Sequence, residues 1–447
     1  MRESANTFPT DWDTKTIGDI ACHVGSGATP TGGSSVYSRT GIAFIRSQNV
    51  TFKGLLLDDV AFIGTSIHQQ MARSEIFPHD VLLNITGASI GRCCFVPPNF
   101  GLANVNQHVC AIRLPRPSHE DAVFLAGVLA SHIGQSQIDR LNAGGNREGL
   151  NYQQVRSFVV PWPRSEERKR IAAILEAADE AIAKTEAVIA KLKQVRAGLL
   201  HDLLTRGIDK HGQLRDPIAH PEQFQESLLG RIPGEWEIKS LNEIVASAVD
   251  GPFGSNLKTE HYVNEPGVRV VRLQNIEGGR FDESDEAFVS EDHALSLQRH
   301  QVVSGDLLVA SMGDENHPLA RACLYPAHLP PGIVKADCFR LRMKTTMAAN
   351  GFVMLFLNCP STRRELNVLG QGVTRDRVNL TTLLTLRVLQ PPIEEQRHIV
   401  KMIEALDLRI QTEEVFHSKL AFLKSGLMTD LLTGRVRVPE SIAAMEN

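Results

Sequence analysis

The sequence predicts an α+β chain: two pseudo-repeated mixed α/β globules, each followed by one long helix, with the two helices pairing antiparallel as a coiled coil. Two observations carry this. Residues 164–206 and 392–434 hold the same heptad-like apolar stripe, 228 positions apart from Ile171 to Ile399. The segments in front of them match in the same order, so one supersecondary unit is present twice.

In the first stripe the apolar positions are Ile171, Leu175, Ala178, Ile182, Ile189, Leu192, Leu199 and Leu203. In the second they are Ile399, Ile403, Leu406, Ile410, Leu420, Leu427 and Leu431. Steps of three and four place them on one helix face. At about 1.5 Å per residue, ~40 residues span roughly 60 Å, and such a stripe has to be buried against a partner. Each copy supplies the other's partner. Thr185 and Arg196 in the first copy, and Glu413, His417 and Lys424 in the second, interrupt the seam. A small rotation would let Val188, Val195, Phe416 and Leu423 replace them. Gly198 and Gly426 cost about 1 kcal/mol each relative to Ala inside a helix and point to close helix approach. The openings Glu166–Arg170 and Glu394–His398 read as solvated first turns whose carboxylates complement the helix dipole.

In chain order, DWDTKTIGDI matches EWEIKSLNEI, with Trp12 on Trp236. Both tryptophans read as core in preference to base-stacking groups. GIAFIRSQNV matches GVRVVRLQNI, placing Arg46, Gln48 and Asn49 on Arg272, Gln274 and Asn275. These β-branched runs end in polar residues, so strands followed by turns. Asp80 then falls on Asp306 and Gly87 on Gly313. Two apolar runs, Val109–Leu114 and Cys338–Met343, read as strands, with Cys110 and Cys338 as matching core residues. A helical pattern follows, then a Gly-rich turn and a strand that prolines close before the long helix. The stretch between the copies is rich in Gly, Pro and polar residues and reads as a connector. The boundaries are globule one at 1–163, helix one at 164–207, connector at 208–234, globule two at 235–391, helix two at 392–434 and a C-terminal tail at 435–447. The connector is short, so the second globule is expected near the end of helix one, with helix two returning alongside.

The bulk properties exclude more than they name. A 42% hydrophobic content and 22% charge are ordinary for a globular chain. A net charge of −4 is not the balance of a protein held to nucleic acid by charge alone; a DNA grip has to be local or shared with a partner. Seven cysteines without paired spacing suggest a reducing compartment and no zinc site. The start MRESANTFPTDWDTK has no apolar signal region and no run reaches ~18 apolar residues, so a cytoplasmic chain without a membrane span is expected.

Catalytic motifs are missing. There is no GxxxxGK[ST] loop, no [DN]PP[YF], no strand–GxGxxG–helix, and no HExxH. Gln390–Ile393 (QPPI) lacks the amide or acidic first residue and the aromatic of an adenine methyltransferase. Asp306, Asp314 and Glu315 are near one another in sequence, but the copy-one counterparts of the last two are not acidic. No catalytic residue, metal ligand or bound cofactor is assigned.

Comparing copy with copy is more informative. The offset changes at three loops, 24–41 against 249–267, 87–92 against 313–321, and 142–151 against 369–379. Loops on a rigid scaffold are where recognition usually lives. They carry hydroxyls and amides suited to phosphates and adenine edges, and Arg or Lys suited to guanine. The candidates are Ser26, Thr29, Thr31, Ser89, Arg92, Asn146, Arg147 and Asn151 in copy one. In copy two they are Ser255, Asn256, Lys258, Arg321, Arg375, Arg377 and Asn379. The kept set Arg46, Gln48, Asn49, Arg272, Gln274 and Asn275 joins them. The two kept arginines fit a phosphate or a scaffold carboxylate.

These residues resemble a known family. The order globule, helix, globule, helix is similar to the specificity (S) subunit of type I restriction-modification systems. So are SGATPTGG, NITGASIGRCCFVP with NQHVCAIRL, GPFGSNLKTEHYV with RVVRLQNI, the PxxEEQRxI helix start and LMTDLLTGRVRV. HDLLTRGI in copy one departs mildly from the LLTGR ending. The resemblance implies two target recognition domains that each read one half of a bipartite site in double-stranded DNA, with helices that set the gap. It also implies two methylation subunits that bind S-adenosylmethionine and methylate adenine N6, and two motor-nuclease (restriction) subunits that use ATP and Mg2+. The S subunit itself would catalyse nothing. Two other classes compete: an autonomous DNA-modifying enzyme with an unrecognised site, and a coiled-coil interaction scaffold without a DNA role.

If the helices set the gap, inserting about four residues in helix one adds about one turn, roughly 5–6 Å or nearly two base pairs. The gap of the recognised site should lengthen accordingly when methylated sites are mapped; an unchanged gap refutes the ruler.

Overall fold

A computed structural model of the chain describes residues 8–142, 149–252, 254–264, 266–369 and 376–440. The chain forms two compact units, Met1–Val188 with Glu413–Asn447, and Ile189–Thr412. Each unit holds one mixed globule and half of each long helix, Ser165–Thr205 and Ile393–Leu432.

In the first unit a four-stranded antiparallel sheet has the order Cys93–Phe95, Val81–Asn84, Val109–Arg113, His23–Ser26. Alternation along its strands decides the layering. Val81, Leu83, Cys110 and Ile112 face the helix His119–Ala130 and the long-helix residues Ile171, Leu175, Leu431 and Leu432. Leu82, Cys94, Val109 and Ala111 face a second sheet through Ile45 and Val105, with Val50 of a short hairpin beside it. Both faces are buried, which is why these strands read as continuous apolar runs. The second sheet is five-stranded and mixed, with one parallel pair between Ile42–Ile45 and Ala103–Val105.

The second unit repeats this arrangement. Its four-stranded sheet runs Val245–Asp250, Cys338–Met343, Leu307–Ala310, Ala322–Leu324, and its five-stranded sheet again has one parallel pair, Val268–Val271 with Gly332–Val334. The ladders correct one expected equivalence. Val109 lies opposite Asn84, and Cys338 lies opposite Ala310, the counterpart of Asn84. Cys338 therefore corresponds to Val109, and Cys110 to Phe339. Both cysteines are buried all the same.

Within each unit the long helices run antiparallel. In the first, Asp179 pairs with Lys424, and Glu186 accepts from His417 at 2.9 Å, seven residues on along one helix and seven back along the other. In the second, Arg196 forks onto Asp407, with Nη2 to Oδ2 at 2.9 Å, and Leu200, Leu203 and Leu204 pack with Ile399 and Ile403. Of the expected seam, Ile171, Leu175, Leu203, Ile399, Ile403, Ile410 and Leu431 are buried. Ile182, Ile189, Leu192, Leu199, Leu406, Leu420 and Leu427 are half-buried.

Two expectations about this seam fail. The rotation does not occur: Val188, Val195, Phe416 and Leu423 are 43–55% exposed, while Arg196, His417 and Lys424 keep their inward positions through ion pairs. A Cβ on Gly198 or Gly426 would meet no atom within 4 Å, so neither glycine serves close approach within its unit.

The helix starts also differ from expectation. Glu166 and Glu394 are solvated, but Glu167 and Glu395 are buried. Trp12 Nε1 donates to Glu167 Oε2 at 3.0 Å, and Arg437 donates to both oxygens at 2.6 and 2.8 Å. In the second unit Trp236 Nε1 donates to Glu395 Oε2 at 3.1 Å, and Arg215 to its oxygens at 2.6 and 3.2 Å. Both tryptophans are core residues, as their sequence context implies. Glu395→Ala should destabilise the second unit by about 3–5 kcal/mol, because it leaves buried Arg215 with only the longer ion pair to exposed Glu235 at 3.4 Å and Trp236 Nε1 without its acceptor. A urea-unfolding shift below about 1 kcal/mol would show that the pair does not anchor the unit.

Candidate nucleic-acid interface

The strand His23–Ser26 ends where three loops meet. The next residue, Gly27, donates its N–H to Asn106 O at 3.1 Å. A Cβ there would overlap the Val105 carbonyl, and one on Gly251, at the same place in the second unit, would overlap that of Lys335. Glycine is required at both because backbone passes against backbone.

Beyond Gly27, polar side chains link the loops. Ser26 Oγ lies 2.5 Å from Tyr152 OH. Thr29 donates to the amide oxygen of Gln107, Gln107 Nε2 lies 3.0 Å from His108 Nε2, and His108 Nδ1 lies 2.5 Å from Thr86 Oγ1. Thr86 bridges Gly149, tying in the third loop. Ser89 Oγ accepts from Asn84, which also donates to Ser47 O. Thr31 and Arg92 are exposed. Asn151 caps the short helix Tyr152–Arg156 through Oδ1, so only its amide N–H2 is open.

The second unit builds the same region from other residues. His300 Nδ1 meets Asp250 O at 2.7 Å, and His293 Nε2 meets Asn256 O at 2.9 Å, holding the 250–256 loop. Lys258 is exposed and pairs with Glu260 at 3.4 Å. Met312–Gly313 pairs antiparallel with Asp376–Arg377, and Arg377 Nη2 reaches Asp337 and, at 3.3 Å, Met312 Sδ. Asn379 caps the helix Leu380–Leu384, and Gln274 is exposed.

Several candidates turn out to be framework. Asn49 and Asn275 are buried; each accepts the N–H of its preceding arginine (2.9 and 2.8 Å) and donates to two carbonyls, Leu56 and Asp59, or Asp282 and Asp285. Their amides are fully used, so they cannot read a base edge. Arg46 Nη2 donates to the Asp59 carbonyl at 3.2 Å and lies 3.8 Å from its carboxylate, while Arg272 forks onto the Asp285 carboxylate. Gln48 also donates to Asp59, at 2.8 Å. Arg321 is buried on the carbonyls of Ile276, Met312 and Leu273. Asp306 is buried and held by the partly exposed Arg342, repeating Asp80 with Arg113, so it forms no acidic cluster with Asp314 and Glu315. Asn146, Arg147 and Arg375 lie outside the described residues, as does the side chain of Ser255.

Gln107, His108 and Asp337 were missed from sequence because their turn keeps its length between copies; a comparison by side-chain chemistry would have singled out His108 against Asp337. The buried thiols of Cys94, Cys110 and Cys323 are pushed up to about 12 by desolvation, which leaves them inert as nucleophiles near neutral pH. Among the described residues no group of three or more His, Cys, Asp or Glu is placed to hold a metal ion, and no helix is long and apolar enough to cross a membrane.

The family model described as "Type I restriction modification DNA specificity domain" matches twice, over residues 9–194 and 233–419. The chain belongs to this family. Its tandem matches coincide with the two copies of the fold. Among specificity-subunit relatives, the Methanocaldococcus jannaschii type I restriction enzyme MjaVIII specificity subunit is 25% identical over 63% of each chain. The MjaIX specificity subunit of the same organism is 21% identical over 97% of this chain and 95% of the relative. The EcoKI specificity subunit of Escherichia coli K12 is 23% identical over 82% of this chain and 75% of the relative. A crystal structure of the S subunit of a type I restriction-modification system from M. genitalium aligns with a TM-score of 0.56 at 16% identity, over 96% of this chain and 98% of that one. A chain from a study of complex assembly and conformational transition of the type I R-M system gives 0.57 at 16% identity, over 96% and 100%. These structural likenesses speak to the fold.

The buried amide of Asn275 gives a direct check on the division between framework and reading residues. Asn275→Ala should cost about 1–3 kcal/mol by leaving buried partners unsatisfied, seen as a lower melting temperature. The preferred DNA sequence should not change; an altered base preference would return Asn275 to the reading surface.

Proposed function

We propose that this chain is the sequence-reading, non-catalytic subunit of a type I restriction-modification complex, with each recognition domain reading one half of a bipartite site in double-stranded DNA. The observation that carries this is the pair of equivalent loop clusters on one repeated scaffold. The framework contacts agree (Asp80–Arg113 with Asp306–Arg342, Asn49 with Asn275), while Thr86, His108 and Gly149 are replaced by Met312, Asp337 and Arg377. One fold with two sets of reading chemistry is what two different half-sites require.

In this reading two methylation subunits bind S-adenosylmethionine and methylate adenine N6 in each half-site. Such chemistry needs the adenine taken out of the stack, and no pocket for it is assigned to this chain. Two motor-nuclease subunits supply ATP- and Mg2+-dependent restriction. Val188, Val415, Phe416, Phe422 and Leu423 leave apolar surface exposed on the long helices of the first unit, which suits coverage by a methylation subunit. The net charge of −4 suits a DNA clamp shared with that subunit. The complex would act in the cytoplasm, where the host DNA lies.

Adenine-methylation mapping of a host carrying this chain and its methylation subunit tests the proposal. The expected result is a split motif with one methylated adenine in each half, lost when the chain is deleted. A motif that survives the deletion, or a contiguous one, counts against it.

A further inference from the structure

The two units place different residues at one structural position. Thr86 bridges Gly149 in the first, and Met312 pairs with Arg377 in the second. The ladder register that equates Val109 with Cys338 also equates the preceding residues, His108 and Asp337. The first unit therefore has a hydroxyl–imidazole–amide chain here, and the second has an arginine held by a carboxylate.

Arg377 is half exposed, with 51% of its side chain open, and lies on a two-residue ladder beside the 311–313 loop. Among the described residues only Nη2 is engaged, by Asp337 and by the thioether of Met312. A thioether is a weak acceptor that a stronger oxygen or nitrogen displaces. Nε and Nη1 have no partner among the described residues. Asp337 has a left-handed φ of 71°, which only a few non-glycine residues, Asp among them, adopt readily. That conformation presents its carboxylate to Arg377. With the Met312 thioether displaced, the freed Nη2 hydrogen and an adjacent guanidinium nitrogen suit the paired acceptors O6 and N7 of guanine in the major groove, while Asp337 holds the other side of Nη2. A phosphate contact would need neither the carboxylate nor the fork, and a carboxylate beside it would repel the phosphate.

We propose that Arg377, positioned by Asp337, reads a guanine in the half-site bound by the second recognition domain. This rests on the proposed DNA-reading function and adds the base and the residue. The test measures binding of the assembled methylation complex to duplexes in which each base pair of the mapped site is varied singly. For the wild type, one G·C pair in one half-site should be preferred on the order of tenfold to a hundredfold. Arg377→Ala and Arg377→Lys should both bring that preference to within about twofold, leaving every other position and the other half-site unchanged. Asp337→Asn should weaken the same preference partly and add nothing to Arg377→Ala. Uniform weakening by Arg377→Ala, rescued by Arg377→Lys and with a salt dependence shallower by about one charge, would make Arg377 a phosphate contact and overturn the proposal. So would unchanged preferences in both variants. A wild-type complex with no split-site preference would instead remove the function on which the inference depends.

Discussion

Each unit is organised around one buried carboxylate at the start of a long helix. Glu167 and Glu395 accept from a core tryptophan and from an arginine distant in sequence, Arg437 and Arg215. Three segments meet at that carboxylate: the first strand region of the globule, the start of one long helix, and the chain just past the end of the other. A buried ion left unpaired costs several kcal/mol, so the three segments have to arrive together. The geometry between globule and helices inside each unit follows from that requirement. Arg437 is held charged by Glu167 and by exposed Asp11, whose own carboxyl it draws below the usual carboxylate range.

The helix seam shows the same logic at lower cost. Apolar residues were available next to each polar one, and burying them would have made a drier interface. Instead Asp179–Lys424, Glu186–His417 and Arg196–Asp407 stay inside the seam. An apolar seam tolerates a slip of one heptad; an ion pair at a defined level does not, so partly buried pairs of this kind fix register at some expense of stability. Lys53 adds a bond to Glu186 at 2.7 Å, bringing a hairpin of the first globule onto the same carboxylate.

Above this frame the two recognition surfaces share a scaffold and differ in chemistry. The turns at Arg46–Asn49 and Arg272–Asn275 are closed by the same buried amide, and the strands by the same Asp–Arg fork. The differences gather where backbone passes closest, beside Gly27 and Gly251. A surface that keeps its backbone while exchanging side chains can change what it reads without being refolded.

The repeat, the strands, the long helices and the family resemblance are all properties of local pattern, and the sequence by itself determined them: periods of two and of three to four survive without knowledge of what packs where. It also located the loops in which the two copies differ in length. What it did not determine was the partner of each polar side chain. Glu167 looks like any acidic first-turn residue until Trp12 and Arg437 arrive from positions 155 residues before it and 270 after it. Asn49 and Asn275 carry the chemistry of adenine readers, and only tertiary burial turns them into turn caps. Arg377 looked no different from its neighbours until the fold brought Asp337 to it across 40 residues of chain. Hydrogen-bonding capacity is written in the residue, but whether it faces protein or solvent is decided by packing, and that was left to the tertiary structure.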